Sequence, residues 1–178
     1  MKSIVFIILV LIFGINIFAQ GTSAVKDSTL NKTVIDSVSG KPMLIGYYNR
    51  KVFADSNFSW WFRPTYQIYT VDTAALKNAS RLLKNVDIII VMGTWCSDSR
   101  MEVPHFYKIL DYLKFPSDKV KLIMVDRDKK AGGTIVNDLD IDRVPTIIFS
   151  RAGKEIGRII EYPRESYEID MMRILRMK

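Results

Sequence analysis

The sequence predicts an α/β domain, a mixed central β-sheet flanked by helices and preceded by an N-terminal extension. Three observations carry this. Val86–Met92 (VDIIIVM) is a nearly unbroken β-branched run, as a strand buried on both faces of a sheet requires. Segments of helical period lie before and after it, so strands and helices alternate along the chain. Two short apolar runs, residues 144–149 and 155–160, are joined by Ala152-Gly153 in the pattern of a β-hairpin.

The elements follow in order. Lys2 precedes an apolar run from Ile4 to Phe18 that ends at small Ala19, the layout of a secretory signal peptide over residues 1–19, with Ala24 a second possible cleavage point. The apolar stretch, about 15 residues, is short of the roughly 20 that span a bilayer. Export to the periplasm or beyond is therefore expected, with no stable membrane span after cleavage; an uncleaved N-terminal anchor is the alternative. Residues 20–41, rich in Ser, Thr, Lys, Asp and Gly, read as a flexible linker, and the domain is expected over residues 42–178, with an extension at 42–72 and a core at 73–178. Residues 43–48 read as a strand. Asp55 is placed to cap a short helix through Phe58, Trp60, Trp61 and Phe62 that Pro64 should stop. These aromatics, and those up to Tyr69, are costly to expose, so they should pack the extension onto the domain and cover a sheet edge. Asp72 or Thr73 should start a helix carrying Leu76, Ala79, Leu82 and Leu83 at helical spacing. The central strand Val86–Met92 leads into Gly93-Thr94-Trp95-Cys96 and a helix with Met101, Val103, Phe106, Ile109, Leu110 and Leu113. A strand at 120–125, a weak helix around 133–139, the hairpin, and a closing helix from about Arg164 to Met177 complete the chain.

Composition narrows the chemistry. The chain has 178 residues, 48 % apolar and 25 % charged, the balance of one globular domain. Its formal net charge is +7, or +6 once Lys2 is removed with the leader. The basic residues are scattered, with no dense stripe interleaved with aromatics, so a solvated basic surface is expected and no nucleic-acid partner. One cysteine, Cys96, excludes an internal disulfide framework, and one histidine, His105, excludes a His-based metal centre or a Ser-His-Asp triad. No metal and no cofactor are expected. A lone cysteine in an exported protein is either buried and inert or free and reactive.

Cys96 sits where the buried strand hands over to a helix. Free backbone N–H groups and the positive end of the helix dipole there favour thiolate and lower a thiol pKa. Ser99, three residues on, is placed to donate a hydrogen bond to the thiolate; Arg100 adds positive charge and Asp98 opposes it. His105 is nine residues beyond Cys96, which at about 100° per residue puts it on the opposite side of the helix, a poor position for a base. Pro104 inside this helix should kink it.

Trp95-Cys96-Ser97-Asp98-Ser99, the helical proline eight residues after the cysteine, and Arg143-Val144-Pro145-Thr146 before a β-Gly-β hairpin together resemble the thioredoxin family over residues 73–177. The resemblance implies a thioredoxin-like fold, a Val-cisPro-Thr segment facing Cys96, and an extended substrate backbone held by Val144 beside Pro145 and Thr146, with Trp95 walling the groove. Asp126-x-Asp128 is similar to that family's strand-end motif, and a metal there is not expected.

Two departures from the family pattern bear on function. Ser99 stands where the resolving cysteine would be, and Ile90, six residues before Cys96, stands where thioredoxins carry a buried acid. The losses agree, since a buried carboxylate with no second thiol to deprotonate would only add desolvation cost. Dithiol turnover is thus not expected. Cys96 could still form mixed disulfides with client proteins or small thiols, released by another thiol, in the manner of single-cysteine exchange serving redox homeostasis. The alternative is a binding module or redox sensor that keeps the groove without turnover. A peroxiredoxin-like peroxidase is disfavoured because Gly93 occupies the threonine position of that family's Thr-x-x-Cys pattern.

Overall fold

The computed structural model describes residues 31–177. The expected leader, residues 1–19, and the first part of the expected linker lie outside the described residues. Six strands form one mixed sheet: β1 (Lys32–Ile35), β2 (Pro42–Tyr48), β3 (Val86–Met92), β4 (Val120–Met124), β5 (Thr146–Arg151) and β6 (Lys154–Ile160), in the order β1-β2-β4-β3-β5-β6. Only β3 and β4 run parallel; the other neighbours are antiparallel. The helices are α1 (Ser56–Ile68), α2 (Ala79–Leu82), α3 (Ser97–Tyr112) and α4 (Tyr167–Arg176). No described helix is long and apolar enough to cross a membrane.

The β-branched run forms the middle of the sheet, as a segment with one charged residue in seven requires. Ile88, Ile90 and Met92 point into the larger core, shared with α1, α3 and α4, while Val91 points into a smaller cluster with Ile123, Val125, Ala131, Val136 and Val144. Successive side chains thus go to opposite faces, and only Asp87 and Ile89 are less than fully buried. Ile90 is fully buried, so an acid there would have no water. Gly157 in β6 allows α4 to approach closely: a Cβ there would lie 3.0 Å from the Ile174 side chain.

Five local expectations are corrected. Residues 32–41 are not linker: β1 pairs with β2 through a turn in which the Asp36 carboxylate accepts the Ser39 N–H at 3.1 Å. Polar composition hid a strand because β1 is a short edge strand, largely exposed. Pro64 does not stop α1, which runs on to Ile68 because Phe58, Trp61 and Phe62 are buried on one face and hold the helix against α3. The aromatics therefore cover α3 rather than a sheet edge, and helical geometry turns Trp60 outward, 59 % exposed beside buried Trp61. The helix expected from Asp72 or Thr73 is instead a series of turns. Asp72 accepts the N–H groups of Ala74 and Ala75, both at 3.0 Å, but Asn78 takes a left-handed φ of 70° and leaves only the short α2. Leu76, Ala79 and Leu83 are buried all the same. The weak helix around 133–139 is a 3₁₀ turn, Ile135–Asp138, capped by Thr134.

Candidate active site

The site forms where β3 ends and α3 begins. The Cys96 N–H closes a turn on the Gly93 carbonyl at 3.0 Å, and Cys96 takes the N-cap position of α3 with extended backbone and no side-chain cap bond. The first N–H groups of a 16-residue helix are thus left without a side-chain partner behind the sulfur. Cys96 is half-buried, and its thiol donates to the Val144 carbonyl at 3.3 Å. The Val144–Pro145 peptide bond is cis. This loop is fixed from both sides: the Glu161 N–H donates to the Pro145 carbonyl at 2.7 Å, and the Thr146 hydroxyl to the Arg143 carbonyl at 2.6 Å.

Trp95, Cys96, Val144 and Pro145 therefore converge. Thr146 is buried with its hydroxyl turned to its own loop. Ser99 is fully buried and accepts the Gly93 N–H at 3.3 Å, which ties the first turn of α3 back to the end of β3. Asp98 is exposed in the first turn of α3, where a carboxylate gains from the helix dipole. Arg100 is half-buried, its N–H bonded to the Cys96 carbonyl at 3.1 Å. His105 lies elsewhere, stacked on Tyr69 at 4.6 Å and 3.6 Å from Glu102.

Trp95 is the best-held side chain of the group. Its indole N–H donates to the Val125 carbonyl at 2.9 Å, and its ring lies against Gly93, where a Cβ would sit 2.5 Å from the indole. That is the physical reason for glycine at position 93. The Arg127 guanidinium lies over the ring at 5.0 Å and grips Asp36 through two bonds of 2.7 and 2.8 Å. Asp36 is only 2 % exposed. Arg127, helped by the Ser39 hydroxyl, holds its carboxyl well below the usual carboxylate range. Asp36 in turn pushes Arg127 up. A second tie runs from the buried Thr94 hydroxyl, which accepts the Leu44 N–H of β2 at 3.2 Å.

Sequence reasoning missed Asp36, Arg127 and Thr94. The Asp-Ser-Val-Ser-Gly run at 36–40 was a usable turn signal, but nothing local pairs Asp36 with a residue 91 positions away. Asp126 proves to be a turn cap, accepting the N–H groups of Asp128 and Lys130 at 3.0 and 2.8 Å. Among the described residues no group of three or more His, Cys, Asp or Glu could hold a metal ion.

Residues 70–172 match the family model described as Thioredoxin. A TPR repeat-containing thioredoxin from Arabidopsis thaliana is 32 % identical over 96 residues, which is 54 % of this chain and 23 % of that protein. The chain thus spans less than a quarter of that relative's length. Among solved structures, a protein of unknown function from Pseudomonas aeruginosa aligns with a TM-score of 0.52 at 12 % identity, over 74 % of this chain and 91 % of that one, which speaks for the fold alone. Mitochondrial thioredoxin 3 from Saccharomyces cerevisiae, in its oxidized form, is 26 % identical over 54 % of this chain and 86 % of that one, with a TM-score of 0.33.

Proposed function

The chain belongs to the thioredoxin family, and from that premise we propose that it carries out thiol–disulfide exchange through Cys96 alone, by transient mixed disulfides with client proteins or small thiols. One observation carries the reading: the chain's single thiol stands half-buried at the N-terminus of α3, hydrogen-bonded to Val144 beside Pro145.

In the first step the Cys96 thiolate attacks one sulfur of a client disulfide. A Cys96–client S–S bond forms, the client's S–S bond breaks, and its other sulfur leaves as thiolate and takes up a proton. The Val144 carbonyl loses the thiol proton it had accepted and becomes free for a client backbone N–H. Uncapped N–H groups of α3 turn the positive end of the helix dipole toward Cys96. Ser99 cannot resolve the adduct, so a second thiol from solution or from the client attacks it and regenerates Cys96. The leader expected over residues 1–19 supports a periplasmic or secreted setting, or a membrane-anchored one if the leader is retained.

The test is mass spectrometry of the purified protein mixed with a glutathionylated peptide. A single adduct, absent in Cys96→Ser and chased off by free thiol, is expected. Ser99→Cys should gain an internal disulfide and dithiol reductase activity. A second reading, a binding module with an inert thiol, is favoured by the engagement of the sulfur with Val144. It prevails if Cys96 takes up no adduct and Ser99→Cys stays inactive.

A further inference from the structure

The N-terminal extension builds a cavity against the site. It encloses about 340 Å³ between the β1–β2 turn, the first turn of α1 and the Thr94-Trp95 segment, within the range of small-molecule sites. Its walls are polar with an aromatic part: Trp60, Trp61 and Trp95, the only three tryptophans of the chain, all line it. Its charges are unequal. Asp36 reaches it, but Arg127 neutralises that carboxylate through two hydrogen bonds. Lys41 and Arg100 also line it, and neither has an acidic partner among the described residues. Lys41 lies over the exposed Trp60 ring at 5.6 Å, and Arg100 is one helical turn beyond Cys96, whose carbonyl its N–H bonds. Two unmatched cations in a polar, part-aromatic cavity lined by Trp95, the residue next to the thiol, call for a carboxylate.

We infer that this cavity binds the carboxylate end of an anionic low-molecular-weight thiol, the compound that resolves the Cys96 mixed disulfide. The inference rests on the single-cysteine reading above, which leaves release to an external thiol. The attacking thiolate forms an S–S bond with Cys96 or with the bound group, the existing S–S bond breaks, and the displaced sulfur departs as thiolate. No other oxidant or reductant is consumed. The cavity holds the carboxylate while the thiol end reaches the sulfur.

The experiment uses the full-length protein with Cys96 charged by the neutral reagent dipyridyl disulfide, and follows release of the chromophoric pyridinethione by mercaptopropionate, mercaptoethanol and cysteamine, with rates expressed per thiolate. The anionic thiol should exceed the neutral one by about tenfold, the factor that one charge-assisted contact supplies, and the cationic one should be slowest. In Lys41→Gln/Arg100→Gln the anionic-to-neutral ratio should fall to about one, a quantity indifferent to any general change in Cys96 reactivity. In Lys84→Gln, at the opposite end of β3, it should persist. A ratio near one in the unaltered protein, or one that survives the double substitution, overturns the inference. If Cys96 takes up no pyridyl group, it is the single-cysteine reading that fails. The cavity is then judged separately by titrating S-methylglutathione, which has no thiol: a saturable change in tryptophan fluorescence that the double substitution abolishes supports the anion site, and no change overturns it.

Discussion

Residues 31–69 hold the thioredoxin domain at two places, and the two work by opposite physics. Under α1, Phe53 is stacked on Phe62 at 4.4 Å, with Trp61 edge-on at 5.5 Å and Tyr107 of α3 at 6.2 Å. Arg50 lies 4.9 Å over the Tyr107 ring and bonds Asp111 at 2.6 Å, closing the cluster toward water. At the other place a single carboxylate, Asp36, meets Arg127 over Trp95. The first contact buries aromatic surface away from Cys96; the second buries little apolar area and stands at the site. Anchoring and site-shaping are thus carried by different residues and can be broken separately.

The largest effect should come from the aromatic contact. Phe53→Ala empties the centre of a packed cluster and should cost about 3–5 kcal/mol, read as a fall in the urea midpoint. A loss below 1 kcal/mol would mean that α1 adheres for another reason. Gly93→Ala should come next, at about 1–3 kcal/mol, because the new methyl must displace the indole that bonds Val125 and carries Arg127. The near-ultraviolet circular dichroism of Trp95 should change with it, and an unchanged spectrum would show that the ring is not wedged. Pro64→Ala works in the other direction. An exposed proline inside α1 forfeits a hydrogen bond, and its removal should stabilise the protein by up to about 3 kcal/mol. A destabilised variant would show that α1 needs the proline's shape.

The smallest effect is one of pH. The Asp36 carboxyl is held by Arg127 below its unfolded value of about 3.9. Its contribution is therefore complete above that value and is lost as pH falls toward the folded one. Wild type should lose stability below about pH 4 more steeply than Asp36→Asn, while the two run parallel at neutral pH. Parallel acid limbs would show that the pair contributes nothing in solution. Phe53→Ala should leave this slope intact, which separates the two contacts in one experiment.

The domain's skeleton was legible wherever burial leaves a periodic trace. Val86–Met92 could be nothing but an inner strand, because seven residues with one charge have no face to offer water. Ala152-Gly153 marked the β5–β6 hairpin, and Trp95-Cys96 and Val144-Pro145 marked two segments that the fold brings into contact. The trace failed at β1, whose exposed edge needs no apolar alternation, and at residues 73–78, where Leu76 is buried by turns rather than by a helix. Periodicity reports that a residue is buried, not which backbone path buries it.

By itself the sequence determined the fold class, the position of the only thiol and the lack of a second one, since these follow from local pattern and composition. Only the tertiary structure decided that Asp36 would clasp Arg127 over Trp95, that Trp60 would face outward while Trp61 went in, and that Lys41 and Arg100 would share a cavity. Such pairings join residues tens of positions apart. Their partners are chosen when the chain closes on itself, and one carboxylate in a polar stretch looks like any other until then.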